Sequence, residues 1–260
     1  MADSRPIGLF DSGVGGLSVL LEIKKILPKE SLIFLADQGH NPYGAKTKNQ
    51  LINLSTRITN FLLKRDIKAL VIACNTATCY ALDSLRAKFK IPIIGVVPAV
   101  KPAVEMSRSG RIAIMSTPAT AKSAYLSLLV SQHANKMKVL KLGCDGLEES
   151  VEYLKTEKIS KLLKKYLARI KKFDADVIVL GCTHFPFLKK DIQKQISKKI
   201  EIIDSGEAIA RRLKSILSQN KATSSKNYRD IYFTTKDPLL FSQVASKLLN
   251  QPVNSRFAKI

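Results

Sequence analysis

Two cysteines of this chain stand in the same local pattern. Cys74 closes the apolar run LVIAC and is followed by Asn75 and Thr76. Cys182 closes VIVLGC and is followed by Thr183 and His184. An apolar, β-branched run that stops in this way reads as a strand handing over to a helix or turn. At such a junction unpaired backbone N–H groups favour an anion and lower a thiol pKa. Taken alone, Cys74 reads as a buried core residue, since free cysteine is among the most buried residue types. Two cysteines in matching places are harder to assign to packing. Cys79 and Cys144 lack this setting and read as small hydrophobes.

Other polar groups cluster at similar junctions. Asp11-Ser12-Gly13 follows the first apolar run, and Gly15-Gly16 leads into the next amphipathic stretch. Glycines there let a backbone come close to a ligand, and N–H groups at a helix start hold an anion. The equally simple reading is a tight turn with Asp11 as a cap. The spacing matches neither the dinucleotide G-x-G-x-x-G nor the phosphate-loop pattern, so a nucleotide cofactor is not expected. Asn41-Pro42-Tyr43-Gly44 is a turn signal. The three histidines, His40, His133 and His184, form no H-E-x-x-H, and no C-x-x-C occurs, so no metal is expected. Cys182 with His184 could form a nucleophile–base pair, but neighbours two apart on a loop seldom align for it.

The elements that must position these groups alternate in type. Candidate strands are residues 6–10, 32–36, 69–73, 91–97, 111–115, 138–142, 177–180, 200–203 and 230–233. Helical patterns lie between them, as at 16–27, 49–64, 77–88 and 159–172. Apolar strands alternating with helices predict an α/β fold with mainly parallel sheets, whose ligands sit beyond the strands' carboxyl ends. The chain also echoes itself. RPIGLFDSGVGG resembles GRIAIMSTPAT, LVIACNTAT resembles VIVLGCTHF, and IPIIGVVPA resembles IEIIDSGEA. The shifts from Arg5 to Arg111, Cys74 to Cys182 and Ile91 to Ile200 are 106, 108 and 109 residues. A near-constant shift predicts two pseudo-symmetric domains. The expected boundaries are 1–98 with 207–260 for the domain of Cys74, and 99–206 for that of Cys182. The apolar DIYFTT is expected to join the first sheet, after a polar linker at 218–227. If the halves face each other, both cysteines flank one cleft.

Composition bounds the rest. The 260 residues are 45% apolar and 25% charged, ordinary for a globular chain. No apolar run approaches the roughly 18 residues of a membrane span, so no membrane partner is expected. The start, MADSRPIGLF, shows no secretory pattern, and four sparse cysteines read as cytoplasmic thiols. With 43 Lys+Arg against 21 Asp+Glu, the formal net charge is +22. The bases are scattered among Leu and Ile at helical spacing, as in ISKLLKKYLARIKKF, and read as solvated helix faces. Non-specific polyanion binding at low salt follows from such a charge.

The segments IGLFDSGVGGLSVL, NPYG, ACNTAT and GCTHFP, in this order from position 7 to 186, together resemble the glutamate racemases of the aspartate/glutamate racemase family. The resemblance implies interconversion of L- and D-glutamate without a cofactor, with the active site between two α/β domains. It further implies supply of D-glutamate to peptidoglycan, and hence a part in cell shape. By position, Cys74 and Cys182 match the family's two catalytic thiols. Asp11, Ser12, Tyr43, Gly44, Asn75, Thr76, Thr183 and His184 match its substrate-binding residues. Thr117 and Thr120 fall where a threonine pair follows a strand. One departure is the stretch CDGLEESVE from Cys144 to Glu152, which lacks the family's Cys-Pro-Leu-Phe and puts an auxiliary role for Glu152 in question. A homodimer is also raised by the resemblance.

The chemistry suits two thiols. Racemisation takes the Cα proton from one face and returns one to the other, so one group is needed on each side. A thiol's ordinary pKa of about 8.5 lies near working pH. No lysine context suggests a pyridoxal electron sink, so fixed dipoles must stabilise the developing carbanion. Ser12, Asn75, Thr76 and Thr183 offer donors. Two other functions fit the same residues: an aspartate or broader acidic amino-acid racemase, and a polyanion-binding protein on a racemase scaffold.

Overall fold

The computed structural model describes residues 3–220, 222–224 and 229–260. Of the polar stretch 218–227, residues 221 and 225–227 lie outside the described residues. Ten strands are present among the described residues: β1 (Ile7–Asp11), β2 (Leu32–Ala36), β3 (Ala69–Ile72), β4 (Ile93–Gly95), β5 (Arg111–Ser116), β6 (Lys138–Gly143), β7 (Val177–Leu180), β8 (Glu201–Ile203), β9 (Ile231–Thr234) and β10 (Ser255–Phe257). They form a six-stranded sheet ordered β10-β9-β2-β1-β3-β4 and a four-stranded sheet ordered β6-β5-β7-β8. The paired strands run parallel throughout. The chain divides into two compact units, Met1–Val96 with Gly206–Ile260 and Val97–Ser205.

The internal echo is visible in the topology. β2-β1-β3-β4 and β6-β5-β7-β8 have the same order, so β1 corresponds to β5 and β3 to β7. Every residue of β1, β2, β3 and β7 is buried, as central parallel strands covered on both faces require. Helices supply the cover. Helix Lys48–Leu63 starts at a reciprocal cap between Thr47 and Gln50 and buries Leu51, Leu54, Ile58 and Leu62 at three- and four-residue spacing. Helix Thr156–Phe173 buries Leu163, Tyr166, Leu167 and Ile170 and ends at Asp174, whose φ is 58°. Its Lys158, Lys161, Lys164, Lys165, Lys171 and Lys172 are exposed, so this basic run is a solvated face.

Local differences from the sequence reading have physical causes. The helix after β3 spans Asn75–Lys88, two residues longer at its start than the apolar pattern shows, because Cys74 serves as its extended cap residue. The strand expected at 91–97 pairs only over Ile93–Gly95, between two prolines. β10 and helix Pro238–Leu249 were not expected from the pattern. β9 lies beside β2, with Ile33 opposite Ile231, and thereby closes that edge.

At the amino ends of these strands a buried ion pair ties distant segments together. Lys68 Nζ lies 2.6 Å from Glu30 Oε2, and both side chains are at most 2% exposed. The same ammonium donates to the carbonyls of Asp3 at 2.8 Å and Ala222 at 2.7 Å. Glu30 Oε1 accepts from the Ser224 N–H at 2.8 Å.

Candidate active site

In the first unit the candidate residues gather at the carboxyl ends of β1, β2 and β3. β1 ends at Asp11, and Ser12 follows; both are buried. Asp11 Oδ1 accepts from the Ser12 N–H at 2.5 Å and the Ser12 hydroxyl at 3.1 Å. Adjacent in the sheet, β3 delivers Cys74, whose carbonyl accepts the first helical hydrogen bond from Thr78 at 2.9 Å. Cys74 Sγ is 3.8 Å from Ser12 Oγ. Asn75 and Thr76 open the helix and are buried beside it. Asn75 Oδ1 is buried with no hydrogen-bond partner among the described residues. An acceptor left in that state costs about 1–3 kcal/mol, which a ligand donor would recover.

The Gly-rich turn is closely packed. A Cβ on Gly16 would lie 2.8 Å from Asp11 Cβ and 2.9 Å from Phe34 Cε2. Only glycine lets the turn press against the residue that ends β1.

Tyr43 comes from the turn after β2. It is almost fully buried, and its hydroxyl donates to Asp37 Oδ2 at 2.6 Å. Burial, then the charge and hydrogen bond of Asp37, push the phenol well above its ordinary pKa, and the charges of Cys74 and Asp11 add to this. Tyr43 is therefore a fixed neutral donor within the electrostatic reach of both. Gly44 follows it in a short 3₁₀ turn.

In the second unit the equivalent junction follows β7. Cys182, Thr183 and His184 are all buried. The chain turns at once, with the Phe185 N–H donating to the Cys182 carbonyl at 3.1 Å. That turn folds His184 back, so that Nδ1 lies 3.7 Å from Cys182 Sγ. The expectation that residues two apart would not align is thus corrected: a tight turn brings them together. His184 Nε2 in turn lies 2.8 Å from Glu152 Oε2. Glu152, whose auxiliary role the missing Pro-Leu-Phe puts in question, is thus placed against His184. Without Pro-Leu-Phe, the segment still winds a short helix, Leu147–Glu152, that ends with its last carboxylate buried against the imidazole.

The electrostatics of this trio depart from the simple junction argument. Burial raises the Cys182 thiol pKa above its ordinary value, and the hydrogen bond and charge of His184 only partly oppose this. A lowered thiol pKa was expected there; burial outweighs the junction and His184 and turns the shift upward. Burial also works against a charged His184, but hydrogen bonds to Cys182 and Glu152 outweigh it and hold the imidazole well above its usual pKa. The trio can carry a proton between sulfur and imidazole while the carboxylate anchors the ring.

Thr117 directly follows β5, in the place that Asp11 occupies in the first unit, and Thr120 lies within the short helix Pro118–Lys122 that comes next. Thr117 caps the following turn, accepting from the Thr120 N–H at 3.2 Å, and its hydroxyl donates to Thr120 Oγ1 at 3.1 Å. Cys144 is buried just after β6, and burial pushes its thiol far up, as suits a packing residue. Asp37 was not singled out from sequence, although its place at a strand's carboxyl end was a usable signal.

Comparison with known proteins identifies the family. Residues 39–213 match the Asp/Glu/Hydantoin racemase family. A glutamate racemase of Pseudomonas syringae pv. tomato is 40% identical over 255 residues, covering 96% of this chain and 93% of the relative. The crystal structure of a glutamate racemase isoform from Bacillus anthracis aligns with a TM-score of 0.90 at 32% identity, over 98% of each chain. Escherichia coli glutamate racemase, crystallised with L-glutamate and the activator UDP-MurNAc-ala, aligns with a TM-score of 0.85 at 32% identity, over 97% of each chain. Two parallel α/β units of equal strand order, each ending a central strand in a buried cysteine, accompany this likeness along the whole chain, and the chain belongs to the Asp/Glu/hydantoin racemase family, among its glutamate racemases.

Proposed function

We propose that the protein interconverts L- and D-glutamate by passing protons through Cys74 and Cys182, each addressing one face of the same Cα. The observation that carries this reading is the equivalence of the two sulfurs: each follows the strand next to the first strand of its unit, and each has buried polar neighbours. In one direction the Cys74 thiolate takes the Cα proton of D-glutamate, and the electron pair of the broken C–H bond stays on the carbanion. The Cys182 thiol then gives its proton to the opposite face and is left as thiolate. The reverse direction starts from that state and ends with Cys74 ionised. Each half therefore needs one sulfur charged and the other neutral.

The neighbours stabilise what the reaction creates. Asn75 Oδ1, an acceptor without a partner among the described residues, suits the substrate ammonium. The Thr76 and Thr183 hydroxyls suit its carboxylates, where charge develops as the proton leaves, while the Ser12 hydroxyl donates to Asp11. Asp11 sits within the same hydrogen-bonded group as Ser12 and Cys74. On the other side, protonated His184 supplies the positive charge that a thiolate at Cys182 needs in so buried a place. The proposal includes glutamate rather than aspartate as substrate, D-glutamate for peptidoglycan as product use, and the cytoplasm as compartment.

The test is incubation of pure protein with L-glutamate in heavy water without added cofactor. Circular dichroism should decay to zero while deuterium enters Cα, and L-aspartate should turn over far more slowly. Decay without deuterium incorporation, or no decay at all, defeats the proposal.

A further inference from the structure

Asp37 is fully buried and takes part in no step proposed above. It follows β2 directly, and both of its carboxylate oxygens are engaged. Oδ2 accepts from the Tyr43 hydroxyl at 2.6 Å. Oδ1 accepts from the Thr235 hydroxyl at 2.7 Å and faces His40 Nδ1 at 2.7 Å. A carboxylate only accepts, so the His40 proton sits on Nδ1. The Thr235 hydroxyl, having donated to Asp37, accepts from the Gly39 N–H at 2.9 Å. A Cβ at Gly39 would lie 2.7 Å from the Thr235 carbonyl oxygen, so loop and strand end are in close contact. The Asp37 backbone N–H donates to the Asp11 carbonyl at 2.8 Å.

Asp37 thus joins the ends of three neighbouring strands. Through its backbone it holds the end of β1, where Asp11 lies. Through its side chain it holds Thr235, just past β9, and both His40 and Tyr43 of the turn that carries Tyr43 and Gly44. Because Tyr43 spends its hydroxyl proton on Asp37, its ring fixes the turn from inside.

We infer that Asp37 is a positioning residue for substrate binding, which holds the 38–44 turn in register with Asp11 through a buried carboxylate shared by Tyr43, His40 and Thr235. The inference rests on the reading of this site as the glutamate site. Thr235 makes the carboxy-terminal segment part of the same support, although it is 192 residues beyond Tyr43 in the chain.

The test compares Asp37→Asn, Tyr43→Phe, Thr235→Val and Thr235→Ser for KM and kcat with glutamate, and for the urea midpoint. Loss of a hydrogen bond to a buried charge predicts a KM rise of about ten- to a hundredfold in Asp37→Asn and Thr235→Val, with kcat within about threefold. Thr235→Ser keeps the donor and should bring KM back near the unaltered value. Asp37→Asn combined with Tyr43→Phe should be no worse than the poorer single variant. A lowered urea midpoint with KM unchanged makes Asp37 purely structural and overturns the inference. If Asp37→Asn fails to fold, equal KM values for Thr235→Val and Thr235→Ser overturn it instead. Unaltered protein that does not exchange the glutamate Cα proton sinks both readings; normal turnover with variant KM values unchanged sinks only this one.

Discussion

Glu152 Oε2 and His184 Nε2 are 2.8 Å apart, and each side chain is about 1% exposed. The carboxylate fixes the proton on Nε2, so the face of the ring turned to Cys182 is Nδ1. Removing that anchor while keeping its shape, as in Glu152→Gln, lowers the His184 pKa, because the lost interaction was one that raised it. The activity that depends on protonated His184 is then lost at lower pH on the basic side. We expect kcat/KM to fall about 10- to 100-fold in both directions, as for loss of a hydrogen bond to a charged group. The two directions must fall by one factor, since enantiomers have equal free energy. A pH–rate profile with its basic limb unmoved would show that Glu152 does not act through His184.

Cys74→Ala and Cys182→Ala should each reduce racemisation by several orders of magnitude. Their isotope exchange should differ. With Cys182 removed, Cys74 still takes and returns the proton of D-glutamate on one face, so deuterium enters that enantiomer without inversion. With Cys74 removed, the same holds for L-glutamate. Proton NMR of each enantiomer in heavy water reads this directly, and exchange of both enantiomers by one variant would contradict the face assignment.

Lys68→Met leaves Glu30 as an uncompensated buried charge and removes two donors to carbonyls. Breaking such a pair destabilises by about 3–5 kcal/mol. Lys68→Met with Glu30→Gln should recover part of the loss. Urea midpoints of the single and double variants check it; a single variant as stable as the unaltered protein would mean the pair is solvated.

Gly16→Ala places a methyl within 2.9 Å of both Asp11 Cβ and Phe34 Cε2. Overpacking of this kind costs about 1–3 kcal/mol. Because the displaced neighbour is Asp11, activity should fall more than stability. Equal loss of both, followed by thermal melting and turnover, would argue against a link from this turn to the site.

Much of the candidate site's placement was legible because parallel α/β sheets put their chemistry at one kind of place. Cys74, Cys182, Asp11 and Ser12 each follow an apolar run, and the run itself is the signal. The same logic located β9, whose DIYFTT carries enough β-branched and aromatic residues to be read. What escaped was held by side-chain geometry. Nothing in the spacing of Glu152 and His184, 32 residues apart, announces their contact. Asp37 was hidden by its neighbours, since HNPYG reads as a loop and draws attention past the acid that anchors it. β10 escaped because Ser255-Arg256-Phe257 is too short and too polar to stand out, and it pairs on one side only.

The placement of β9 and β10 has a consequence for synthesis on the ribosome. The strands that finish the first sheet emerge last, whereas Val97–Ser205 is complete well before them. The inserted unit is therefore free to acquire its structure first, and the earlier-made amino-terminal strands wait with an open edge at β2 until the tail arrives. In the cell this half-made sheet is the stage most exposed to wrong partners.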